Sequence, residues 1–246
     1  MKLGVELSLN NGIDTILFDL DGTLRQNSPS FNDAMLSFAL QLGLANGSEH
    51  RRQAHRWLHY HWAQSPELVS DLETYEDYGE EFWTNHARLY LLAYGCQAEQ
   101  ASHLAAELTR CMVEEYEPED GLADKVPSIL GSLKEAGFRL AVVSNRRNPF
   151  DEQLETLGIN SYFEYTLAAG SINTFKPDPK VFLHALNELG IEPGQGIYVG
   201  DNYFADVLGA QRARMQAILI DPEGLFPEAE CPIIDGLAEL HKVLQN

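Results

Sequence analysis

The stretch that decides the fold is Ile16-Leu17-Phe18-Asp19-Leu20-Asp21-Gly22-Thr23-Leu24, in which an apolar run ends in two carboxylates. Residues two apart in an extended strand point to the same side, so we expect Asp19 and Asp21 to converge where the strand ends. Gly22 permits a sharp turn there because it has no Cβ. Two acids at the mouth of a sheet suit a hard divalent cation and a carboxylate nucleophile. The alternative is a strand that simply ends in an acidic turn.

The composition limits the class of protein to which the chain can belong. Its 246 residues include 44% hydrophobic residues, which is enough for one large globular domain or two small ones. The formal net charge is −20, and a negative field of this size repels nucleic acid and anionic membranes, so we expect neither as a partner. A phosphate site in such a chain needs cationic side chains close to it.

The cysteines and the first residues predict the cellular compartment. Cys96, Cys111 and Cys231 are widely spaced and form no Cys-x-x-Cys pair, which indicates neither a zinc site nor a disulfide framework. Residues 1–12 contain no long apolar region and no cleavage-like site, and no window of the chain resembles a membrane span. We therefore expect a cytoplasmic protein.

Residues 25–118 have a periodicity that differs from the rest of the chain. Apolar and aromatic residues recur at helical spacing, which predicts three to five helices. The stripes lie at 31–42, 57–62, 75–92 and 104–112. We expect the aromatic run at 75–94 to form the core of this helical segment rather than a platform for a nucleobase.

From residue 119 onward, strand and helix patterns alternate. Apolar runs predict strands at 138–143, 162–169, 196–199, 216–220 and 233–234, and helices are expected at 126–136, 204–214 and from about 236. Asn148-Pro149 and Asp178-Pro179 each combine an N-cap residue with Pro at the first helical position, so we expect both to begin helices. This alternation predicts an α/β fold with a Rossmann-like parallel sheet and helices on both faces.

The predicted α/β core is split in the sequence. Residues 1–24 supply one strand, residues 119–246 supply the others, and the helical segment 25–118 is inserted directly after the acidic turn. Ligands of open α/β sheets bind beyond the carboxyl ends of the strands. We therefore expect the inserted segment to act as a cap over that edge.

Polar residues follow other predicted strands of the core. These residues are Ser144 and Asn145 after one strand, Asp201 and Asp206 after another, and Lys176 in a Pro-rich loop before a helix. A helix N-terminus favours negative charge, and an ammonium group beside it strengthens that preference. Because carboxyl ends of parallel strands meet at one edge, we expect all five to lie near the acidic turn.

These four groups of residues resemble the motifs of the haloacid dehalogenase-like (HAD) hydrolase superfamily. Asp19-Leu20-Asp21-Gly22-Thr23 is similar to the first motif, Ser144 to the second, Lys176 to the third, and Gly200-Asp201 with Asp206 to the fourth. The motifs occur in the order of that superfamily, and residues 25–118 are similar to its helical type-1 caps. The resemblance implies a HAD-like core with an inserted helical cap.

The resemblance also implies a Mg²⁺-dependent phosphatase that hydrolyses a small phosphorylated metabolite through an aspartyl-phosphate. Asp19 would be the nucleophile, and Asp21 would be the general acid for the leaving alcohol and then the general base for water. The implied metal ligands are Asp19, the backbone carbonyl of Asp21, Asp201 and, directly or as a neighbour of the ligands, Asp206. The implied phosphate-binding residues are Ser144, Asn145 and Lys176.

Some neighbouring residues allow a structural reading and a functional one. We expect Thr23 to cap the acidic turn by a local hydrogen bond. Arg146 and Arg147 could bind a second anionic group of the substrate, but a solvated pair at a helix start is the favoured prediction. A cationic stripe on one helical face could likewise select an anionic substrate, although a solvated face is favoured. The stripe comprises Arg52, His55, Arg56 and His59.

Other reactions remain open on the same fold. Asp21 argues against a dehalogenase, because displacing halide needs no acid for a leaving alcohol. A phosphonate-cleaving relative would present a Schiff-base lysine from the cap, and no Lys occurs in residues 25–118. A non-catalytic protein that binds a partner through its acidic surface is the hypothesis from another class.

Overall fold

The computed structural model describes residues 12–75 and 78–244. The chain divides into two compact units, an α/β unit formed by Met1–Gln26 with Gly121–Asn246 and a helical unit formed by Asn27–Asp120. Both boundaries lie two residues beyond the positions expected from the sequence, which were 24/25 and 118/119. Residues 1–11 of the expected core segment lie outside the described residues.

The α/β unit is built on a parallel sheet. The strands, in chain order, are β1 (Thr15–Phe18), β2 (Arg25–Ser28), β3 (Glu119–Leu122), β4 (Arg139–Ser144), β5 (Tyr165–Ala168), β6 (Gly196–Gly200), β7 (Gln216–Ile220) and β8 (Ile233–Ile234). Six of them form one sheet in the order β5-β4-β1-β6-β7-β8 with parallel pairing throughout, and β2 pairs with β3. The predicted α/β fold with a parallel sheet is therefore confirmed.

β1 lies inside the sheet and is buried on both faces. Ile16 and Phe18 pack into one hydrophobic cluster and Leu17 into another, because alternate side chains of a strand point to opposite faces. Leu17 stands beside Ala141 of β4 and Tyr198 of β6. The residue after β1 therefore emerges at the carboxyl edge between two neighbouring strands.

Helices cover the sheet and form the second unit. They are α1 (Phe31–Gln41), α2 (Ser48–Trp62), α3 (Pro66–Thr74), α4 (Glu80–Ala93), α5 (Ala98–Glu115), α6 (Val126–Glu135), α7 (Asp151–Thr156), α8 (Pro179–Leu189), α9 (Leu208–Arg212) and α10 (Leu240–Leu244). The predicted start of α8 is confirmed, since Asp178 is its N-cap and accepts a hydrogen bond from the Lys180 N–H. Within residues 12–75 and 78–244, no helix combines the length and apolar character needed to cross a membrane.

Two helix predictions in the α/β unit were wrong in detail. The helix expected at Asn148-Pro149 begins at Asp151, because Phe150 and not Asn148 is its N-cap. The helix expected at 204–214 is a π-helical turn, Tyr203–Val207, followed by the short α9. Asn202 caps that turn with its side chain, which accepts hydrogen bonds from two backbone N–H groups.

The helical unit contains α1 to α5, the upper limit of the three to five helices predicted for it. α3 was not predicted, although Ser65 caps it by accepting a hydrogen bond from Leu68 N–H and Pro66 occupies its first position. The helix expected at 75–92 begins at Glu80 instead. β2 and β3 also escaped prediction, since their mostly polar sequences show no apolar alternation.

The interior of the helical unit contains aromatic residues and one histidine of the stripe predicted on α2. Phe82 and Tyr90 of α4 are fully buried, which agrees with the predicted aromatic core. The cationic stripe lies on α2, but the solvated-face prediction was wrong for His55, which is also fully buried. Arg52 and Arg56 are only partly exposed.

Candidate active site

Lys176 holds the buried centre of the candidate site. Its ammonium group donates hydrogen bonds to Asp19 Oδ1 at 2.6 Å, Asp206 Oδ1 at 2.7 Å and Tyr198 Oη at 2.8 Å. The Tyr198 hydroxyl donates in turn to the Val143 carbonyl at 2.6 Å. The side chains of Lys176 and Asp206 are at most 2% exposed, so their charges are retained inside the protein only because they are paired.

The pKa values at this centre depend on burial and on neighbouring charges. Burial raises the pKa of Asp19 well above its ordinary value, against the opposing charge of Lys176. Burial also acts to lower the pKa of Lys176, but the carboxylates of Asp19 and Asp206 outweigh it and hold that pKa well above its ordinary value. Lys176 is therefore a permanent cation beside Asp19.

Asp201 approaches the same centre from the end of β6. The Thr23 hydroxyl donates to Asp201 Oδ1 at 3.0 Å, so the expected local cap of Thr23 was wrong and the hydroxyl joins two distant segments. A Cβ added at Gly22 would lie 2.5 Å from Asp201 Oδ2, and Gly22 has a φ of 92°. Only glycine therefore allows this approach. Burial, and then the charge of Asp206, raise the pKa of Asp201 to about 7.

The three acids of the buried centre fit a divalent cation. Asp19, Asp201 and Asp206 each offer a carboxylate oxygen within 4.8 Å of the others. Oxygen donors of this kind suit Mg²⁺, and a cation would oppose both the burial and the mutual repulsion that raise the pKa values of Asp19 and Asp201. Both oxygens of Asp206 already accept hydrogen bonds, from Lys176 and from Asn202 N–H at 2.9 Å.

Asp21 lies in a different environment from Asp19. Its side chain is 40% exposed and is bound by two guanidinium groups, those of Arg25 and Arg146. Arg146 Nε donates to Asp21 Oδ2 at 2.7 Å and Nη2 donates to Oδ1 at 2.8 Å. The prediction of a solvated Arg146–Arg147 pair was therefore wrong for Arg146, because the loop before α7 points it back to the acidic turn.

The two polar residues at the end of β4 have different environments. Ser144 is 2% exposed, and its hydroxyl oxygen lies 3.4 Å from the Arg146 N–H, which donates to it. The side chain of Asn145 binds the backbone of Lys176, with Nδ2 donating to the carbonyl at 2.9 Å and Oδ1 accepting from the N–H at 2.7 Å. The amide of Asn145 thus holds the Lys176 backbone through one N–H and its oxygen.

The structure brings five of the seven residues that the sequence proposed for the site into two groups, and the other two, Ser144 and Asn145, contact the backbone of Arg146 and of Lys176. Asp19, Lys176, Asp201 and Asp206 form the buried centre, while Asp21 forms a separate cluster with arginines. The sequence did not predict the contact of Tyr198 with Lys176 or that of Arg146 with Asp21. The signal for Tyr198 was a tyrosine inside the apolar strand 196–199. Nothing in the sequence distinguishes Arg146 from Arg147.

Comparisons with known proteins agree with this architecture. A family profile described as haloacid dehalogenase-like hydrolase matches residues 13–214. Glyceraldehyde 3-phosphate phosphatase of Methanopyrus kandleri is 30% identical over 215 residues, which cover 85% of this chain and 84% of that relative. Phosphoglycolate phosphatase of Psychrobacter arcticus is 26% identical over 208 residues, which cover 82% of this chain and 81% of that relative.

A solved structure shares the fold. The crystal structure of a predicted phosphoglycolate phosphatase from Haemophilus somnus 129pt superimposes with a TM-score of 0.57 at 23% sequence identity. The superposition covers 94% of this chain and 98% of that chain. At this identity the likeness concerns the fold alone.

Proposed function

Because the chain belongs to the haloacid dehalogenase-like hydrolases, we propose that it is a Mg²⁺-dependent phosphatase acting on a small phosphorylated metabolite. The observation that carries the proposal is the contrast between two acids only two residues apart. Asp19 is buried against a permanent cation, while Asp21 is 40% exposed beside guanidinium groups. This contrast supports the assignment of Asp19 as the nucleophile and of Asp21 as the proton carrier. Relatives named as phosphatases support the reaction type.

In the first half-reaction, a carboxylate oxygen of Asp19 attacks phosphorus and the bond from phosphorus to the ester oxygen breaks. Asp21 donates its proton to that oxygen, which leaves as the alcohol. In the second half-reaction, water attacks the aspartyl-phosphate while Asp21 takes its proton. Inorganic phosphate leaves, and both carboxyl groups return to their initial states.

Other side chains of the site bind the phosphoryl group or position those that do. The three N–H donors of Lys176 are used inside the protein, so its positive charge neutralises Asp19 and stabilises the phosphoryl oxygens without a direct hydrogen bond, while the Ser144 hydroxyl binds those oxygens. We assign Asn145 to holding the Lys176 backbone, since both ends of its amide are used there. Tyr198 helps to fix the direction of the Lys176 ammonium group by accepting a hydrogen bond from it.

The donor set suits Mg²⁺, with Asp19, Asp201 and the backbone carbonyl of Asp21 as the proposed ligands. When bound, Mg²⁺ neutralises the acids and stabilises charge on the transferring phosphoryl group. We assign Asp206 to the neighbourhood of the ligands, because both of its oxygens are hydrogen-bonded. Its negative charge keeps Lys176 in place.

The helical unit is proposed to act as a cap that selects the substrate. The relatives are named for glyceraldehyde 3-phosphate and phosphoglycolate, which are both small phosphate esters. We propose a substrate of similar size and a cytoplasmic location, where the three cysteines, free in the structure, remain reduced.

The test is phosphate release from p-nitrophenyl phosphate with and without Mg²⁺, followed by a panel of phosphorylated metabolites. We expect Asp19→Asn to lower kcat at least about 10³-fold, because the nucleophile is lost. Asp14→Asn is the matched control at the other end of β1, where the side chain is exposed, and should stay within about twofold of wild type.

The outcome also separates the competing functions. Equal turnover by Asp19→Asn and wild type would contradict the nucleophile assignment. A wild-type protein that turns over none of the esters would favour a non-catalytic binding protein. Chloride release from 2-chloropropionate would instead indicate a dehalogenase.

A further inference from the structure

The carboxylate of Asp21 is held in one orientation by three hydrogen bonds. Two come from the fork of Arg146 at 2.7 and 2.8 Å, and the third comes from Arg25 Nη1 at 2.9 Å. A carboxylate offers about four lone-pair directions, so about one remains for a proton that passes to or from Asp21. A two-point contact fixes the plane of the carboxylate, which a single hydrogen bond does not.

Arg146 is itself fixed from the opposite side. Its Nη1 donates to Gln153 Oε1 of α7, and its guanidinium carbon lies 5.9 Å from the centre of the Phe150 ring. Phe150 is 4% exposed and belongs to the hydrophobic core, so the ring is a rigid support. The guanidinium therefore links the end of β4 and helix α7 to Asp21 in the acidic turn.

From these contacts we propose that Arg146 is the positioning residue that aims Asp21 at the leaving-group oxygen. The proposal rests on the phosphatase function above, in which Asp21 transfers that proton. Asp21 needs such support because its side chain is 40% exposed and the single hydrogen bond from Arg25 does not fix the plane of the carboxylate. Proton transfer requires hydrogen-bond contact with the reacting oxygen, so a misdirected carboxyl group loses its catalytic contribution.

The leaving group distinguishes positioning of Asp21 from a general effect on the site. p-Nitrophenolate leaves without a proton, whereas the oxygen of phenyl phosphate gains more from an acid. The value of kcat/KM reports only the steps up to the aspartyl-phosphate. Comparing kcat/KM for the two esters with saturating Mg²⁺ therefore isolates proton donation by Asp21 from phosphate binding, which the two esters share.

We expect Arg146→Gln to lower kcat/KM for phenyl phosphate roughly 10- to 100-fold, and that for p-nitrophenyl phosphate less than about threefold. Arg146→Lys keeps the charge without the fork and should recover only part of the loss. Asp21→Asn should show the same dependence on the leaving group. The double variant Asp21→Asn with Arg146→Gln should be no worse than Asp21→Asn alone, because the two residues act as one unit.

The matched control is Arg139→Gln, at the opposite end of β4. Arg139 also binds a carboxylate, Glu164, at 2.8 Å, but outside the site, so both esters should react as with wild type. Thermal unfolding of each variant shows whether it is folded at the assay temperature.

Two results would overturn the positioning proposal while leaving the phosphatase function intact. The first is an equal loss for both esters in Arg146→Gln, which would indicate a contact with the phosphoryl group. The second is a loss confined to KM for phosphoglycolate, which would mean that Arg146 binds a carboxylate of the substrate. A wild-type protein without phosphatase activity would overturn both proposals together.

Discussion

Lys176 shows how a single buried residue can organise a site. Its ammonium group has three oxygen partners, and removing any of them leaves a buried donor with fewer contacts. Tyr198 is the least obvious of the three, because its ring packs in the core while its hydroxyl links Lys176 to the Val143 carbonyl. The tyrosine thus couples the central strand β6 to the position of the cation.

Replacing Tyr198 by Phe tests this coupling at the scale of one atom. We expect Tyr198→Phe to lower the free energy of unfolding by about 1–3 kcal/mol, since the Val143 carbonyl loses its buried donor. Phosphatase kcat should fall far less than in Asp19→Asn, because both carboxylates still hold Lys176. Urea unfolding and steady-state kinetics measure the two effects.

The control for that hydroxyl is Tyr165→Phe on β5. The Tyr165 hydroxyl has no hydrogen bond to another described residue, so its removal should change the free energy of unfolding by less than about 0.5 kcal/mol. Equal destabilisation by the two substitutions would mean that the Tyr198 hydrogen bonds add nothing to stability.

At the scale of elements, α2 and α4 enclose a pair of buried histidines. The rings of His61 and His86 lie 4.8 Å apart, and Trp57 stacks on His61 at 4.6 Å. No ring nitrogen of the two histidines has a hydrogen-bond partner among the described residues. Burial lowers the pKa of His61 to about 4, and burial together with His61 lowers the pKa of His86 well below its ordinary value.

These two histidines make the helical unit sensitive to acid. The unfolded chain takes up protons below about pH 6.5 while the folded pair stays neutral, so stability is complete above that pH and is lost towards pH 4. For His61 alone, we expect the free energy of unfolding to be about 2 kcal/mol lower at pH 5 than at pH 7.5. All three tryptophans of the chain lie in the helical unit, so urea unfolding followed by tryptophan fluorescence measures it.

Substitution of one histidine identifies the source of that sensitivity. His61→Phe keeps an aromatic ring and should remove about 2 kcal/mol of the difference between the two pH values. His103→Gln, at an exposed position on α5, should leave the difference unchanged. A pH dependence that is the same in His61→Phe and wild type would assign it to other groups.

At the scale of the whole molecule, negative charge is concentrated where the site needs a cation. The net charge is −20, and three acids meet in the buried centre with one lysine to balance them. Burial, and then the neighbouring carboxylates, raise the pKa values of Asp19 and Asp201, which means that ionising them opposes folding at neutral pH. A bound divalent cation removes this opposition.

Mg²⁺ should therefore stabilise the α/β unit against unfolding. At a Mg²⁺ concentration of about one hundred times the dissociation constant, the free energy of unfolding should rise by about 3 kcal/mol. Calorimetry detects this rise as a higher melting temperature. Asp201→Asn should abolish most of this shift, whereas Asp206→Asn should reduce it less, because Asp206 is bound to Lys176. Equal, negligible effects of the two substitutions would contradict the assignment of the fourth motif.

The sequence by itself determined the α/β architecture and the residues of the buried centre. Buried parallel strands such as β1 and β6 appear as short apolar runs, and the residue after each run necessarily reaches the carboxyl edge. Asp19 and Asp201 could therefore be placed together from local patterns alone. α8 was predicted from its capping residues for the same local reason.

Only the tertiary structure decided which residues serve each acid. Thr23 binds Asp201, Asn145 binds the Lys176 backbone, and Arg146 binds Asp21. These partners lie 178, 31 and 125 residues apart in the chain, so no local pattern links them. Burial decided the charge and the pairing of these side chains. It requires Lys176 and Tyr198 to find partners and keeps His61 and His86 neutral, which would not hold for the same residues at the surface.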